Sequence, residues 1–273
     1  MWGSVRAEMF KLVRRPATWL LLAVALVLGL TFTYLIPYAG YAGGTGGPRS
    51  GRGLAAILPA GLVGNSIGGL PVFLGAIALM LGVLIAGGEY GWGTWKTVLA
   101  QGPSRLTVYA GKLVAVAAAT LALLLAMFAS GAVTSAVIAT VEKAPLHWPA
   151  LGDLAIGLGA GWLIATMWAV LGVLLGVGMR GVALPIGLGL VWMLAVQNLL
   201  AVVAAPLLDW VAELQKGLPG PNAGSLAASL GATTDTPGVA HLVGGGQAAV
   251  VVAIYLVGFA AAGGLLLRSR DIL

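Results

Sequence analysis

Long uncharged stretches of apolar residues alternate with short polar segments along almost the whole chain. Each stretch is close to or above the length of about 20 residues that an α-helix needs to cross the hydrocarbon core of a bilayer. In lipid the backbone must satisfy its hydrogen bonds internally, and the period-two alternation of a β-barrel strand is absent. The pattern predicts an all-α integral membrane protein with six transmembrane helices, at 18–36, 67–86, 113–141, 154–177, 182–205 and 248–267.

The first 16 residues predict an amphipathic helix that lies along the membrane surface. Apolar residues recur there at helical spacing, and basic residues occupy the other positions. A basic flank that only sets the topology is the alternative interpretation. The apolar positions are Trp2, Val5, Met9, Leu12 and Val13.

Composition agrees with a membrane protein. The chain of 273 residues is 60% hydrophobic and 8% charged, with a mean hydropathy of +1.02. Soluble domains are about 45–50% apolar and about 25% charged. With no cysteine in the chain, a disulfide framework and a thiolate metal site are both excluded.

The net charge of +6 is explained by membrane topology rather than by nucleic acid. Lysine and arginine gather in every second inter-span segment, starting with the N-terminal segment. The positive-inside rule therefore predicts that both termini are cytoplasmic. On this topology segment 88–105 is a cytoplasmic loop, and segment 206–247 is extracellular with short helices, a solvated loop being the alternative there.

The sequence offers little chemistry of its own. It has no P-loop of the form G-x-x-x-x-G-K-[ST], and the six predicted spans contain no ionisable residue that could bind a driving ion. The G-x-S-x-G match around Ser66 lies at the start of a predicted span, so Asn65 or Ser66 capping that helix is the better interpretation. We expect no catalytic residue, no metal and no cofactor in the chain.

Polar residues within the spans are few. Gln197 and Asn198 are costly to bury in lipid and are candidates for a substrate pathway, together with Thr134 and Ser135. Most of the hydroxyl groups are expected to bond back to their own helix. Glycines four apart, such as Gly157 and Gly161, favour close packing within one bundle, with a dimer face as the alternative.

Segment 88–105, GEYGWGTWKTVLAQGPSR, concentrates charge and aromatic side chains in one loop. Thr94 can cap a short helix over Trp95–Gln101, and Ser104 can cap the helix that leads into the third span. The expected partner-binding residues are Glu89, Trp92, Thr94, Trp95, Lys96, Val98, Leu99 and Arg105. An interfacial aromatic belt is the alternative.

The same loop carries a resemblance to a known family. Glu89, Gly93, Thr94, Pro103, Ser104, Arg105, Gly111 and Lys112 resemble the loop motif of type-2 ABC exporter permeases, and six spans with a basic N-terminal helix are similar to them as well. The resemblance implies a half-transporter that forms a homodimer or a related heterodimer and pairs with two ATPase subunits, which bind ATP and Mg²⁺. It also implies that the loop is a coupling helix seated in the ATPase. A membrane anchor that recruits a partner without transport is the other hypothesis.

Overall fold

The computed structural model describes residues 2–43, 53–91, 93, 104–204 and 207–269, and all regular secondary structure among them is helical. Within these described residues, five helices are long and apolar enough to cross a membrane, which agrees with an integral membrane protein. We number the helices α1 to α10. They are α1 Trp2–Arg14, α2 Pro16–Ala42, α3 Leu62–Ile67, α4 Phe73–Gly91, α5 Arg105–Val141, α6 Leu151–Met179, α7 Ala183–Leu199, α8 Asp209–Gln215, α9 Pro219–Ser229 and α10 Gly245–Ser269.

Two of these helices contain wide turns. In α2 the turn Thr31–Leu35 is π-helical, and α7 contains the π-helical turn Val191–Val196, with a further one at Leu200–Ala204 directly after it. The predicted span 182–205 thus corresponds to the shorter apolar helix α7 and the π-helical turn that follows it. π-Helical turns are rare and often lie at functional sites.

The second predicted span, 67–86, is wrong at its start. The chain forms the short helix α3, then turns through residues 68–72, and only then begins α4 at Phe73. Asn65 and Ser66 lie inside α3, so neither caps the second long helix as the sequence suggested; Asn65 instead donates a hydrogen bond to the carbonyl oxygen of Ala56, at 2.8 Å. Uninterrupted apolar sequence concealed the break, because Gly68, Gly69 and Pro71 are all uncharged.

The core is built where α4 and α6 pack against each other. Glycines provide the close approach, since a Cβ added at Gly82 would overlap the carbonyl oxygen of Ala169, and one at Gly172 would overlap that of Leu79. Gly157 and Gly161, also on α6, face Val63 and Ile67 of α3. These spaced glycines therefore serve packing within the chain, as the first interpretation expected.

The two ends of the bundle differ in the elements they contain. One end, which we call the α1 end, holds α1, the last turns of α4 and the first turns of α5. The C-terminal part of α10 lies there too, because the hydroxyl group of Tyr109 in α5 donates to the carbonyl oxygen of Ala260 at 2.8 Å. Both described ends of the chain are consequently on the same side of the bundle.

The opposite end is closed by α3, α9 and the turns that follow α9. A Cβ at Gly64 would overlap the carbonyl oxygen of Gly231, and one at Gly224 would overlap that of Gly238. The buried hydroxyl group of Ser225 donates to the carbonyl oxygen of Ala240 at 2.9 Å. In the described residues 207–247 the short helices are α8 and α9, and α9 is packed into the protein. That this segment is extracellular stays a prediction.

Candidate functional site

The buried face of helix α1 carries a charged side chain as well as an apolar one. Glu8 and Leu12 are buried on it, and Ser4 lies against Gly111 of α5. The predicted apolar face is divided: Leu12 is buried, whereas Trp2 is 86% and Val13 is 58% exposed. The rotation of α1 is set by the burial of Glu8, which pairs with the Lys112 ammonium group of α5. The exposed apolar side chains are those that an interfacial helix would turn toward lipid, and the position of α1 at the membrane surface stays a prediction.

Glu89 and Lys112 lie at the centre of this contact. The Glu89 carboxylate is at the end of α4 and the Lys112 ammonium group is two turns into α5, and they form an ion pair at 2.9 Å. Lys112 also donates to the carbonyl oxygen of Ile85 at 3.1 Å. The side chains are 1% and 0% exposed, respectively. Two residues that Sequence analysis names only as parts of one loop motif are thus joined by a buried ion pair.

Two residues of α1 complete the cluster. The ammonium group of Lys11 forms ion pairs with the carboxylates of Glu8 at 2.8 Å and of Glu89 at 2.6 Å. The ammonium group of Lys112 also pairs with the carboxylate of Glu8, at 3.2 Å. Each carboxylate thus contacts both ammonium groups. We call Glu8, Lys11, Glu89 and Lys112 the ion-pair cluster.

The cluster is electrically balanced, with two carboxylates and two ammonium groups. A buried charge is costly unless it is paired and hydrogen-bonded, and removing one partner of a buried pair typically costs about 3–5 kcal/mol. Buried pairs are weak evidence for net stability but strong constraints on geometry. The cluster therefore fixes how α1, α4 and α5 lie relative to one another.

Lys11 is the most exposed member, at 32% of its side chain. Partial burial alone lowers its pKa, but the hydrogen bonds and negative charges of Glu8 and Glu89 outweigh that effect. The pKa of Lys11 consequently lies above its ordinary value of 10.5.

Arg15 extends the contact to the start of α2. It lies between α1 and α2 and donates to the carbonyl oxygen of Leu84 in α4, at 2.8 Å. Its guanidinium group also lies beside Gly88, where a Cβ would come within ordinary van der Waals contact. Helices α1 and α5 and the start of α2 therefore converge on the last two turns of α4.

The loop after α4 begins and ends on this fixed framework. Glu89 is two residues before the end of α4, and Gly93 has a positive φ of 63° that favours glycine. At the other end the hydroxyl group of Ser104 caps α5 by accepting from the backbone N–H of Thr107 at 3.2 Å, which confirms the predicted cap. Arg105 is the first residue of α5. The other expected partner-binding residues, Trp92, Thr94, Trp95, Lys96, Val98 and Leu99, lie outside the described residues, as does the predicted short helix.

The predicted spans contained no charge, yet two cluster residues are buried in long helices. The second predicted span ends at residue 86 and the third begins at residue 113 because charged residues lie beyond these limits. Glu89 and Lys112 therefore fall outside the predicted spans. Helices α4 and α5 continue past those limits. Sequence reasoning also missed Glu8 and Lys11; a single acid at helical spacing from a lysine, in an otherwise basic helix, was the available signal.

The predicted substrate-pathway residues have separate surroundings. The hydroxyl groups of Thr134 and Ser135 donate to carbonyl oxygens of their own helix. Asn198 donates to the carbonyl oxygen of Leu194, also within its helix. Gln197 is buried and lies against Gly220 at the start of α9, where a Cβ would overlap its amide. Of the four, Gln197 is the one that joins two elements.

A comparison with protein families agrees with this architecture. The family described as ABC-2 family transporter protein matches residues 4–196, which is more than half of the chain and includes the whole ion-pair cluster. A search of curated proteins gives no match. The chain belongs to the ABC-2 transporter family. It is a multi-pass membrane protein and the permease component of an ABC transporter, and membership implies that it works with an ABC ATPase subunit.

Proposed function

We propose that this permease exports its substrate across the cytoplasmic membrane, and that segment 88–105 receives the movement of the ATPase. On this proposal both termini are cytoplasmic and six spans cross the membrane, α7 with its following π-helical turn being the fifth. Two copies of the permease, identical or closely related, pair with two ATPase subunits. ATP and Mg²⁺ bind the ATPases, and the permease itself performs no catalysis.

The observation that supports this function is the ion-pair cluster at the root of the loop. Glu89 is two residues before the end of α4, and Lys112 is eight residues after the Ser104 cap. A force on the loop would therefore act on α4 and α5 directly, and through Glu8 and Lys11 on α1. A loop joined to flexible linkers would dissipate such a movement, whereas a loop joined to balanced buried charges transmits it.

The movement has a route to the opposite end of the bundle. Helices α4 and α6 are in glycine-mediated backbone contact along their length, so a tilt of α4 must carry α6 with it. Our candidate for the substrate pathway at that end is the buried amide of Gln197 against α9. Buried Ser135 and the partly exposed Asn198 and Thr134 are the further candidates. π-Helical turns on both sides of Gln197 permit local adjustment of α7.

The test uses the ABC ATPase that copurifies with this chain, reconstituted with it in lipid nanodiscs. We expect Trp95→Ala with Leu99→Ala to abolish ATPase association and the response of ATP turnover to the permease, since an apolar docking surface is removed. The matched control is Trp148→Ala with Leu146→Ala, which removes the same residue types from an exposed segment of the opposite end. Unchanged association of the Trp95 and Leu99 variant would refute the coupling role of the loop.

A membrane anchor that recruits a partner without transport remains the second candidate. It shares the association but predicts no ATP-dependent movement of any substrate. Flux in vesicles that contain both subunits separates the two functions, because only the exporter links ATP hydrolysis to net transport.

A further inference from the structure

A cavity of about 240 Å³ lies near the opposite end of the bundle, away from the ion-pair cluster. Its walls come from α2, α3, α4 and α5 and from the turn at residues 233–237. The cavity exists because α3 ends at Ile67 and the following turn contributes Gly68 and Gly69, which have no side chains to fill it. The proposed coupling function makes no use of this space.

The wall of the cavity is apolar over most of its surface. Leu74, Ile77 and Met127 lie toward its interior, while Leu28, Phe32 and Phe73 line it and are also 38–49% exposed. These three exposed residues are on α2 and at the start of α4, both of which are membrane-spanning candidates. In a bilayer their exposed surfaces face lipid chains, so the cavity communicates with the hydrocarbon and not with the loop at the α1 end.

One part of the wall can form hydrogen bonds. Thr33, Asn65, Thr233 and Thr236 line the cavity, and the hydroxyl oxygen of Thr236 lies beside Gly68, where an added Cβ would be 3.9 Å from it. No lysine, arginine, aspartate or glutamate is among the described lining residues. The hydroxyl group of Thr233 donates to the carboxylate of Asp235 at 3.3 Å and is already engaged there. The hydroxyl group of Thr236 is the one that suits an uncharged polar group in the cavity.

We propose that this cavity binds one hydrocarbon chain of an amphipathic molecule from the bilayer, with an uncharged hydrogen-bonding group beside Thr236. An apolar cavity is poorly suited to water, which needs two to four polar partners. A hydrocarbon chain that enters past Leu28, Phe32 and Phe73 exchanges lipid contacts for contacts with an equally apolar wall. A hydrogen bond at the polar part of the wall is what favours an amphipathic molecule over a plain hydrocarbon. The chain can belong to a phospholipid of the bilayer or to a single-chain molecule, and the experiment distinguishes these sources.

The test is photolabelling of the purified full chain in nanodiscs, which needs no ATPase and is therefore independent of the proposed function. The probes are a fatty alcohol with a diazirine in its chain, the matching alkane without the hydroxyl group, and a phosphatidylcholine with the diazirine in one acyl chain. Labelled peptides are mapped by mass spectrometry. We expect labels near Met127 and in the peptide that contains residues 233–237. Labelling by the alcohol alone assigns the site to single-chain molecules, and labelling by the phosphatidylcholine assigns it to bilayer lipid.

The decisive variant is Leu28→Trp, which fills the cavity from its lipid side. We expect it to lower labelling of the cavity peptides about tenfold, because each buried methylene group that is excluded weakens binding several-fold. The matched control is Val27→Trp, an exposed neighbour on the same helix that does not line the cavity. Equal labelling of both variants, or no label in the cavity peptides from any probe, would overturn the proposal.

The polar part is tested by Thr236→Val, which removes a hydroxyl group at nearly constant size. We expect the wild-type protein to prefer the alcohol over the alkane and the variant to lose that preference. A wild-type protein that labels equally with alcohol and alkane would contradict the assigned polar group. Size-exclusion profiles of all variants show whether the bundle remains folded.

Discussion

The two ends of the bundle are held together by opposite means. At the α1 end four charged side chains, three of them buried and Lys11 partly exposed, join three helices, and each carboxylate contacts both ammonium groups. At the other end α3, α9 and the turns after α9 meet through glycine backbone and neutral hydrogen bonds. Charges interact strongly and over distance in a low-dielectric interior, whereas glycine contacts depend on shape alone.

The difference suggests a division of labour. A balanced set of charges can be biased by any new charge brought near it, such as a partner subunit docking on the adjacent loop. A contact between glycine backbones carries no charged side chain, so a new charge nearby changes its geometry little. The α1 end is thus suited to receive a signal, and the backbone contacts between α3, α9 and the turns after α9 are suited to keep a fixed shape.

Removal of one cluster charge should have the largest effect. Lys112→Met leaves two carboxylates with one ammonium group in a buried site, and we expect a loss of about 3–5 kcal/mol in the free energy of unfolding. The measurement is the thermal unfolding midpoint in detergent. Lys216→Met is the matched control, since it breaks the exposed pair with Glu213, which is worth about 1 kcal/mol or less.

A second substitution sharpens this result. Adding Glu8→Gln to Lys112→Met restores equal numbers of opposite charges, so part of the lost stability should return. If the two lysine variants lose the same stability, or if the double variant is no better than the single, charge balance does not hold this end together.

A smaller effect is expected from a methyl group at the opposite end. The Cβ of Gly64→Ala would overlap the carbonyl oxygen of Gly231, and forcing that contact apart costs about 1–3 kcal/mol. Gly246→Ala is the control, because it lies in α10 with open space around it and should gain helix propensity. The unfolding midpoint measures both. An unchanged midpoint for Gly64→Ala would show that shape is not what fixes this end.

The smallest effect concerns pH at the α1 end. Because the pKa of Lys11 is raised in the folded protein, its contribution to stability is complete below 10.5 and is lost as the pH rises above that value. We expect a spin label at Ala7→Cys, an exposed position of a chain without cysteine, to become more mobile above that pH. Lys11→Arg stays charged to higher pH and should delay the change. Mobility that rises at the same pH in both proteins would contradict this role of Lys11.

Much of the fold was predictable because lipid imposes simple rules. Long apolar runs predicted the helices, the spacing in the first 16 residues predicted α1, and Ser104 predicted the start of α5. The break between α3 and α4 was not predictable, since glycine and proline in an apolar run are as compatible with a span as with a turn. The burial of α9 was equally hidden, because it depends on partners that are distant in sequence.

The candidate site was predictable in part. The loop followed from charge placement and from the family motif, which also contains Glu89 and Lys112; that these two residues form an ion pair is seen in the structure. Glu8 and Lys11 were not assigned, because a hydrophobic pattern ranks charged residues as exposed and their burial depends on exact balance with residues on other helices. The residues of the loop itself stay a prediction.

The ion-pair cluster also constrains the order in which the protein can be made. Lys112, which pairs with Glu8, lies 104 positions later in the chain. Glu89, which pairs with Lys11, lies 78 positions later. Because synthesis proceeds from the N-terminus, α1 is made before α4 and α5. Its ion pairs with Glu89 and Lys112 can form only after α5 has been synthesised. Through its exposed tryptophan and basic side chains, α1 can bind the membrane surface during that interval. Formation of the ion-pair cluster then marks completion of the first half of the bundle.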